Sequence, residues 1–407
     1  MFKLIGLRKI LLIKLLILLT FLGFLFFILN EQNKNNLIKD TFNPSDKAAF
    51  QLQSIFVGER MPNIGITLDG AVIATWGKES VLARLSRDGG VTWEEELTVA
   101  KIGIHGGGLT VDEISGDIIL FAQEKHPPAT IYMYRSRDNG GTWQKEVTTI
   151  AKDVNNNEPQ MHMAEHGVTL MHGEHKGRLI RSSRVYGDAG GYNIAIYSDD
   201  HGKTWAASTP FPLMGTGEGA IIELNDGRLY FTSRTHWFNE VDDFKSNRAS
   251  AWSYDGGETW VDLEYSAILP DGPRYREVDS KGSAYNGHFG MMAGMTVYPV
   301  DGHDVLIYSN ADISSHERKK MTVWASFDGG QTWPVKRLVH DGYSAYSSLA
   351  SGRRGTVTEG WVYLQFEGGG EKGYEGSYLA RFNMAWLIGG ILTGDGKIPM
   401  WVKSIII

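Results

Sequence analysis

Twelve histidines stand in a chain that has no cysteine. The missing thiols remove cysteine nucleophiles, disulfides, thiolate metal sites and anchoring through a lipidated N-terminal cysteine. The histidines leave acid–base chemistry open, because a neutral imidazole can accept a proton near neutral pH. His105 lies in Ile104-His-Gly-Gly-Gly108, and His126 in Glu124-Lys-His-Pro-Pro128. His162, His166, His172 and His175 crowd Met161–His175, with Arg181, Arg184 and Tyr186 close behind. The spacings of His162/His166 and His172/His175 would suit ligation from a helix or turn, but their surroundings read as strand and loop. No metal and no other cofactor is expected.

The elements that must position such groups are set by a repeat. Ser86-Arg-Asp-Gly-Gly-Val-Thr-Trp93 recurs as Ser136-Arg-Asp-Asn-Gly-Gly-Thr-Trp143, Ser198-Asp-Asp-His-Gly-Lys-Thr-Trp205, Ser253-Tyr-Asp-Gly-Gly-Glu-Thr-Trp260 and Ser326-Phe-Asp-Gly-Gly-Gln-Thr-Trp333. Each copy reads as a strand end, a tight turn and a strand start. The Asp carboxylate can accept from N–H groups of its own turn, the glycines allow positive φ, and the Trp anchors the hairpin. The copies start 50, 62, 55 and 73 residues apart, which suits one four-stranded blade per repeat. Runs such as Ala71-Val-Ile-Ala-Thr-Trp76, Arg228-Leu-Tyr-Phe-Thr232 and Trp361-Val-Tyr-Leu-Gln-Phe366 read as strands. The expectation is an all-β, six-bladed β-propeller, with one blade more than the five repeats. The repeated Asp and Trp residues then serve the fold and touch no substrate, while several of the histidines face the axis.

The bulk numbers agree with a globular propeller. The 407 residues are 42% apolar and 21% charged, with 49 glycines for hairpin turns. A net charge of −7 gives no support for nucleic-acid binding, so an anionic ligand needs a local basic pocket. At the N-terminus, Lys3, Arg8, Lys9 and Lys14 precede the apolar run Leu15–Leu29. Residues 1–29 are expected to be a signal peptide or an uncleaved signal anchor, and 30–48 a linker. The propeller is expected over 49–388 and a tail over 389–407, ending in a last strand or a free end. The body is expected to be exported, periplasmic or extracellular, and to meet a membrane only through the N-terminal segment.

The repeats are Asp-boxes, and the chain resembles the sialidase superfamily. The resemblance implies particular residues. The family's first Arg corresponds to Arg60 in Glu59-Arg60-Met61-Pro62. A Glu shortly before a strand ending in Arg corresponds to Glu218 and Arg234 in Glu218-Gly-Ala-Ile-Ile-Glu-Leu-Asn-Asp-Gly-Arg-Leu-Tyr-Phe-Thr-Ser-Arg234. A third Arg corresponds to Arg318, the nucleophilic Tyr to Tyr346 in Tyr346-Ser-Ser-Leu349, and a late Glu that steadies the first Arg to Glu367. Tyr343 is a rival for the nucleophile. Three guanidiniums converging on an axis would clamp a carboxylate, since Arg is a fixed fork of donors that stays charged. A Tyr beside a Glu base becomes a usable nucleophile and, being uncharged, does not repel an anionic sugar. The partner is then an acidic oligosaccharide or polysaccharide.

The family's acid/base Asp does not appear where expected. The corresponding stretch, Thr75-Trp-Gly-Lys-Glu-Ser-Val-Leu-Ala-Arg84, is short and offers only Glu79. The histidine-rich segments also resemble propeller-type polysaccharide lyases such as ulvan lyases. That resemblance implies β-elimination on a uronate glycan, as a lyase or an oligosaccharide dehydratase, with His105, His126 or His166 moving the proton. A third reading is a non-catalytic sugar-binding propeller.

Overall fold

In a computed structural model, the described residues are 47–402, with short breaks at 59, 102, 106–107, 162, 187–190, 236–246, 272–273, 279–283, 289, 314–317 and 371–374. The proposed signal segment and almost all of the linker therefore lie outside the described residues. Among the described residues no helix is long and apolar enough to cross a membrane. Residues 47–399 form one compact unit.

The unit is an all-β propeller. Antiparallel meanders follow one another along the chain: Asn63–Ile66 to Leu97–Ala100, Ile104–His105 to Gln144–Glu146, Val168–Thr169 to Thr204–Ala207, and Gly217–Glu223 to Val261–Pro270. Apart from the two-stranded hairpin of Arg274–Val278 and Ala284–His288, one further sheet has eight strands and is built around the 17-residue strand Val335–Ser351. Its first half pairs with Lys319–Ser326, and its second half, from Ser344 on, with Trp361–Gly368. The strand Phe50–Val57 pairs antiparallel with Gly376–Asn383, Phe50 opposite Phe382. The first strand of the unit thus completes its last sheet and closes the ring. The one short helix described in full, Met384–Ile388, is capped by Asn383. Beyond it Ile391–Leu392 pairs with Val335 and Lys336, and Thr393 and Asp395 bond to Trp333. The first residues of the expected tail therefore lie on the last repeat hairpin.

The core sits between successive sheets, as period-2 strands buried on both faces require. Ile73, Leu85, Leu109 and Leu120 pack between the first and second meanders. Phe121, Met161, Ile194 and Trp205 pack between the second and third, and Ile180, Phe211, Phe231 and Trp260 between the third and fourth.

All five repeat hairpins carry the same bonds. The Ser hydroxyl donates to the Asp at 2.8 Å and accepts from the Gly N–H four residues on at 2.8–2.9 Å. The Thr N–H donates to the same Asp at 2.9–3.0 Å. Each turn satisfies its own backbone, so these carboxylates are spent on folding. The glycine is needed at Gly257, where φ is +89° and a Cβ would lie 2.0 Å from Ile180 Cδ1.

Candidate active site

The inner strands carry one ionic cluster near their ends. Tyr346, on the long shared strand, is buried, and its hydroxyl donates to Glu218 Oε1 at 2.6 Å. Arg234, at the end of Leu229–Arg234, donates from Nη1 to Glu218 Oε2 at 2.6 Å. Arg60 makes a two-pronged contact with Glu367, 2.9 Å at each oxygen. Glu367 also accepts from the backbone N–H groups of Met61 and Tyr346. The Arg60 and Arg318 guanidiniums lie 5.0 and 5.5 Å from the centre of the Tyr346 ring, and Arg318 donates to the Gly290 carbonyl at 3.0 Å. Beneath lies an apolar floor that includes Met61, Met163, Met291 and Met292.

The local backbone explains how Glu218 reaches Tyr346. In the pairing of Gly217–Glu223 with Leu229–Arg234, Gly217 faces Arg234 and Gly219 faces Ser233, so Glu218 is an extra residue in a bulge. Its φ is +52°, a left-handed conformation that a side chain disfavours. A bulge re-aims a side chain that a regular ladder would place by alternation. Strain of this kind persists only when its surroundings hold it.

The electrostatics keep the phenol protonated at rest. Burial pushes the Tyr346 hydroxyl up, the Glu218 charge adds to that, and Arg234, Arg318 and Arg60 work against it. Arg234 Nε is buried with no hydrogen-bond partner. An unpaired guanidinium donor in a dry site is costly.

Six expected residues, Arg60, Glu218, Arg234, Arg318, Tyr346 and Glu367, thus come together. Tyr343 does not take the place of Tyr346; Lys319 Nζ lies 4.2 Å from its ring centre. The histidines disperse. His126 is exposed and meets Tyr186 edge-on at 6.1 Å. His166 bonds through Nδ1 to Glu165 at 2.6 Å. It lines a separate cavity of about 600 Å³ with Ile66, Ile222, Glu223 and Ser351, which stand toward the other ends of the strands that carry or follow the cluster. His105 lies on the strand Ile104–His105 opposite Ala122; its side chain, and all of His162, are outside the described residues. No group of His, Asp and Glu among the described residues could hold a metal ion.

Four participants were not singled out as site residues from sequence. Arg184 stands 3.6 Å from Glu218. Tyr186 lies under Arg184, and burial pushes its hydroxyl up to about 12. Arg248 and Asp271 form a buried pair at 3.0 Å. A signal existed for Arg184. It lies in Leu179-Ile-Arg-Ser-Ser-Arg-Val185, a strand buried along its whole length, and charges in such a strand need partners.

Comparison with known proteins agrees with this architecture. The family described as BNR repeat-like domain matches residues 77–358. A sialidase from Micromonospora viridifaciens is 30% identical over 83% of this chain and 53% of its own length. A sialidase from Vibrio cholerae is 28% identical over 45% of this chain and 25% of its own. The chain thus spans about half or less of the curated relatives it matches. Among solved structures, a Hadza microbial sialidase, Hz136, superposes with a TM-score of 0.60 at 22% identity, covering 79% of this chain and 65% of that one. The intramolecular trans-sialidase of Ruminococcus gnavus, solved with oseltamivir carboxylate, gives 0.60 at 17% identity, covering 82% and 95%. At such identities these two structures speak for the fold alone.

Proposed function

Since the chain belongs to the BNR repeat-like domain family, we propose that it is a sialidase-type glycoside hydrolase on a six-bladed propeller. The eight-stranded sheet counts as two blades that share Val335–Ser351. The substrate is a terminal acidic sugar of a glycan, its carboxylate held by Arg60, Arg234 and Arg318. The observation that carries the reading is the 2.6 Å bond from the Tyr346 hydroxyl to Glu218, set among three guanidiniums.

The chemistry follows from that bond. Glu218 takes the phenolic proton as Tyr346 Oη attacks the anomeric carbon, and the bond to the leaving oxygen breaks as the Tyr–sugar bond forms. The leaving oxygen takes a proton from an acid. Water then gives a proton to the spent acid as its oxygen attacks the anomeric carbon, the Tyr–sugar bond breaks, and Glu218 returns the phenolic proton to Tyr346, with overall retention. The clamp fixes the sugar so that the anomeric carbon stands at Oη, which converts binding into orientation. For the acid we assign Glu79, exposed on the turn between Trp76 and Val81. The basic-then-apolar N-terminus supports export, which cell fractionation of the full chain tests.

Mass spectrometry and proton NMR of products from sialylated oligosaccharides test the proposal. Products whose summed mass exceeds the substrate by one water, released first with retained configuration, are expected. Cleavage without added water overturns the hydrolase. Replacement of Tyr346 by Phe should lower turnover by at least about 10²-fold; an unchanged rate removes Tyr346 from the mechanism.

A further inference from the structure

The Glu218 bulge leaves a question of support, because its carbonyl sits outside the regular ladder. That carbonyl accepts from Arg248 Nη2 at 3.2 Å. Arg248 Nη1 donates to Asp271 Oδ1 at 3.0 Å and to the Met291 carbonyl at 3.2 Å. Asp271 Oδ2 in turn accepts from the Thr235 N–H at 2.7 Å and the Thr235 hydroxyl at 2.8 Å. Thr235 follows Arg234 in the chain, and Met291 follows Gly290, whose carbonyl anchors Arg318. One ion pair therefore grips the backbone at Glu218, beside Arg234 and beside the anchor of Arg318.

Both members are 1% exposed, so neither can touch a sugar. A buried ion pair is a poor source of stability, since desolvation cancels much of its attraction. Its cost is understandable if it buys geometry. We propose that Arg248, held by Asp271, is a positioning residue that keeps Glu218 in its left-handed conformation with its carboxylate on Tyr346. Arg is required because one guanidinium reaches a carboxylate, a carbonyl and the strained Glu218 carbonyl together, which a lysine's single nitrogen on a flexible stem does not.

The inference rests on the hydrolase reading for its kinetics but not for its geometry, and the test separates the two. Arg248→Lys, which keeps the buried charge, and Arg248→Met are compared with wild type. Turnover of an aryl sialoside is measured, together with the titration of Tyr346 by NMR of ¹³C-labelled tyrosine, assigned with Tyr346→Phe. In both variants kcat should fall on the order of 10- to 100-fold. The Tyr346 titration should move down, toward ordinary tyrosine, as the Glu218 charge leaves it. Should Arg248→Met fail to fold, Arg248→Lys decides. Wild-type kcat together with an unmoved Tyr346 titration, whatever the change in Tm, overturns the proposal and leaves Arg248 a structural residue. Should wild type itself not turn over the sialoside, the hydrolase reading falls, and the Tyr346 titration alone decides the role of Arg248.

Discussion

At the scale of single residues, the cluster separates a guanidinium with a donor left over from a carboxylate whose bonds are filled. Arg234 has a buried donor left over, whereas Glu367 is fully buried and accepts from Arg60, Met61 and Tyr346. Glu367 thereby lets a guanidinium stand beside Arg318 and Arg234 without bare cationic repulsion. The acid is the residue whose role depends most on the substrate. A leaving group that departs unaided needs no proton, while a sugar hydroxyl does. Glu79→Gln should therefore lower turnover of a sialylated oligosaccharide by about 10²–10⁴-fold. A p-nitrophenyl sialoside, with its acidic phenol, should be cleaved within about tenfold of wild type by the same standard. Equal losses on both would show that Glu79 does not protonate the leaving oxygen. The nearness of Arg60 and Arg318 to Tyr346 and the bonds of Tyr346 and Arg234 to Glu218 were legible because the order of these residues along the chain followed a family pattern, most clearly over Glu218–Arg234. Arg248 and Asp271 were not, because an ion pair between residues 23 positions apart leaves no local pattern.

At the scale of elements, the repeat hairpins were the most legible part of the chain, since each contains all the partners of its own bonds. The Glu218 bulge was hidden, because a one-residue mismatch between strands has no signature in either strand alone. The hairpins also carry a stability prediction. Asp200 accepts from Ser198, Lys203 and Thr204. Asp200→Ala strips those donors of a charged acceptor and should cost about 1.5–3 kcal/mol, read as a lower urea midpoint with unchanged slope. No change in midpoint would show that the turn is held by the Trp anchor instead. Hydrogen bonds from the Thr92 hydroxyl and N–H hold the Asp88 carboxyl well below the usual carboxylate range. A group depressed in the folded state adds stability above its unfolded value and loses it as pH falls, so this hairpin begins to weaken as pH falls below about 4, the ordinary Asp value, and goes on weakening further into acid.

At the scale of the whole molecule, buried phenols set the behaviour in base. Burial pushes Tyr230 up to about 12, as it does Tyr186, and raises Tyr308, Tyr363 and Tyr346 in the same direction. These groups keep their protons in the folded state after the unfolded chain would lose them. Stability is therefore fully present below about pH 10, the ordinary tyrosine value, and falls as pH rises above it. Denaturation followed from pH 8 to 12 should show that decline, with exposed phenols such as Tyr254 ionising first and a second rise in tyrosinate absorbance coinciding with unfolding. Full tyrosinate absorbance with the fold intact would mean the buried phenols are open to solvent. Ring closure was only partly legible: a propeller follows from the repeats, but nothing in residues 50–57 alone says which sheet they join.

That closure sets an order of assembly. During synthesis Phe50–Val57 leaves the ribosome early, and its pairing partner Gly376–Asn383 is made late. Until then the strand remains an unpaired edge, and pairing across so long a separation in sequence is slow. The interval in which it can be captured by a chaperone or by another nascent chain is therefore set by translation time. A delay late in the message, or a truncation just before residue 376, would lengthen that interval while leaving every Asp-box intact.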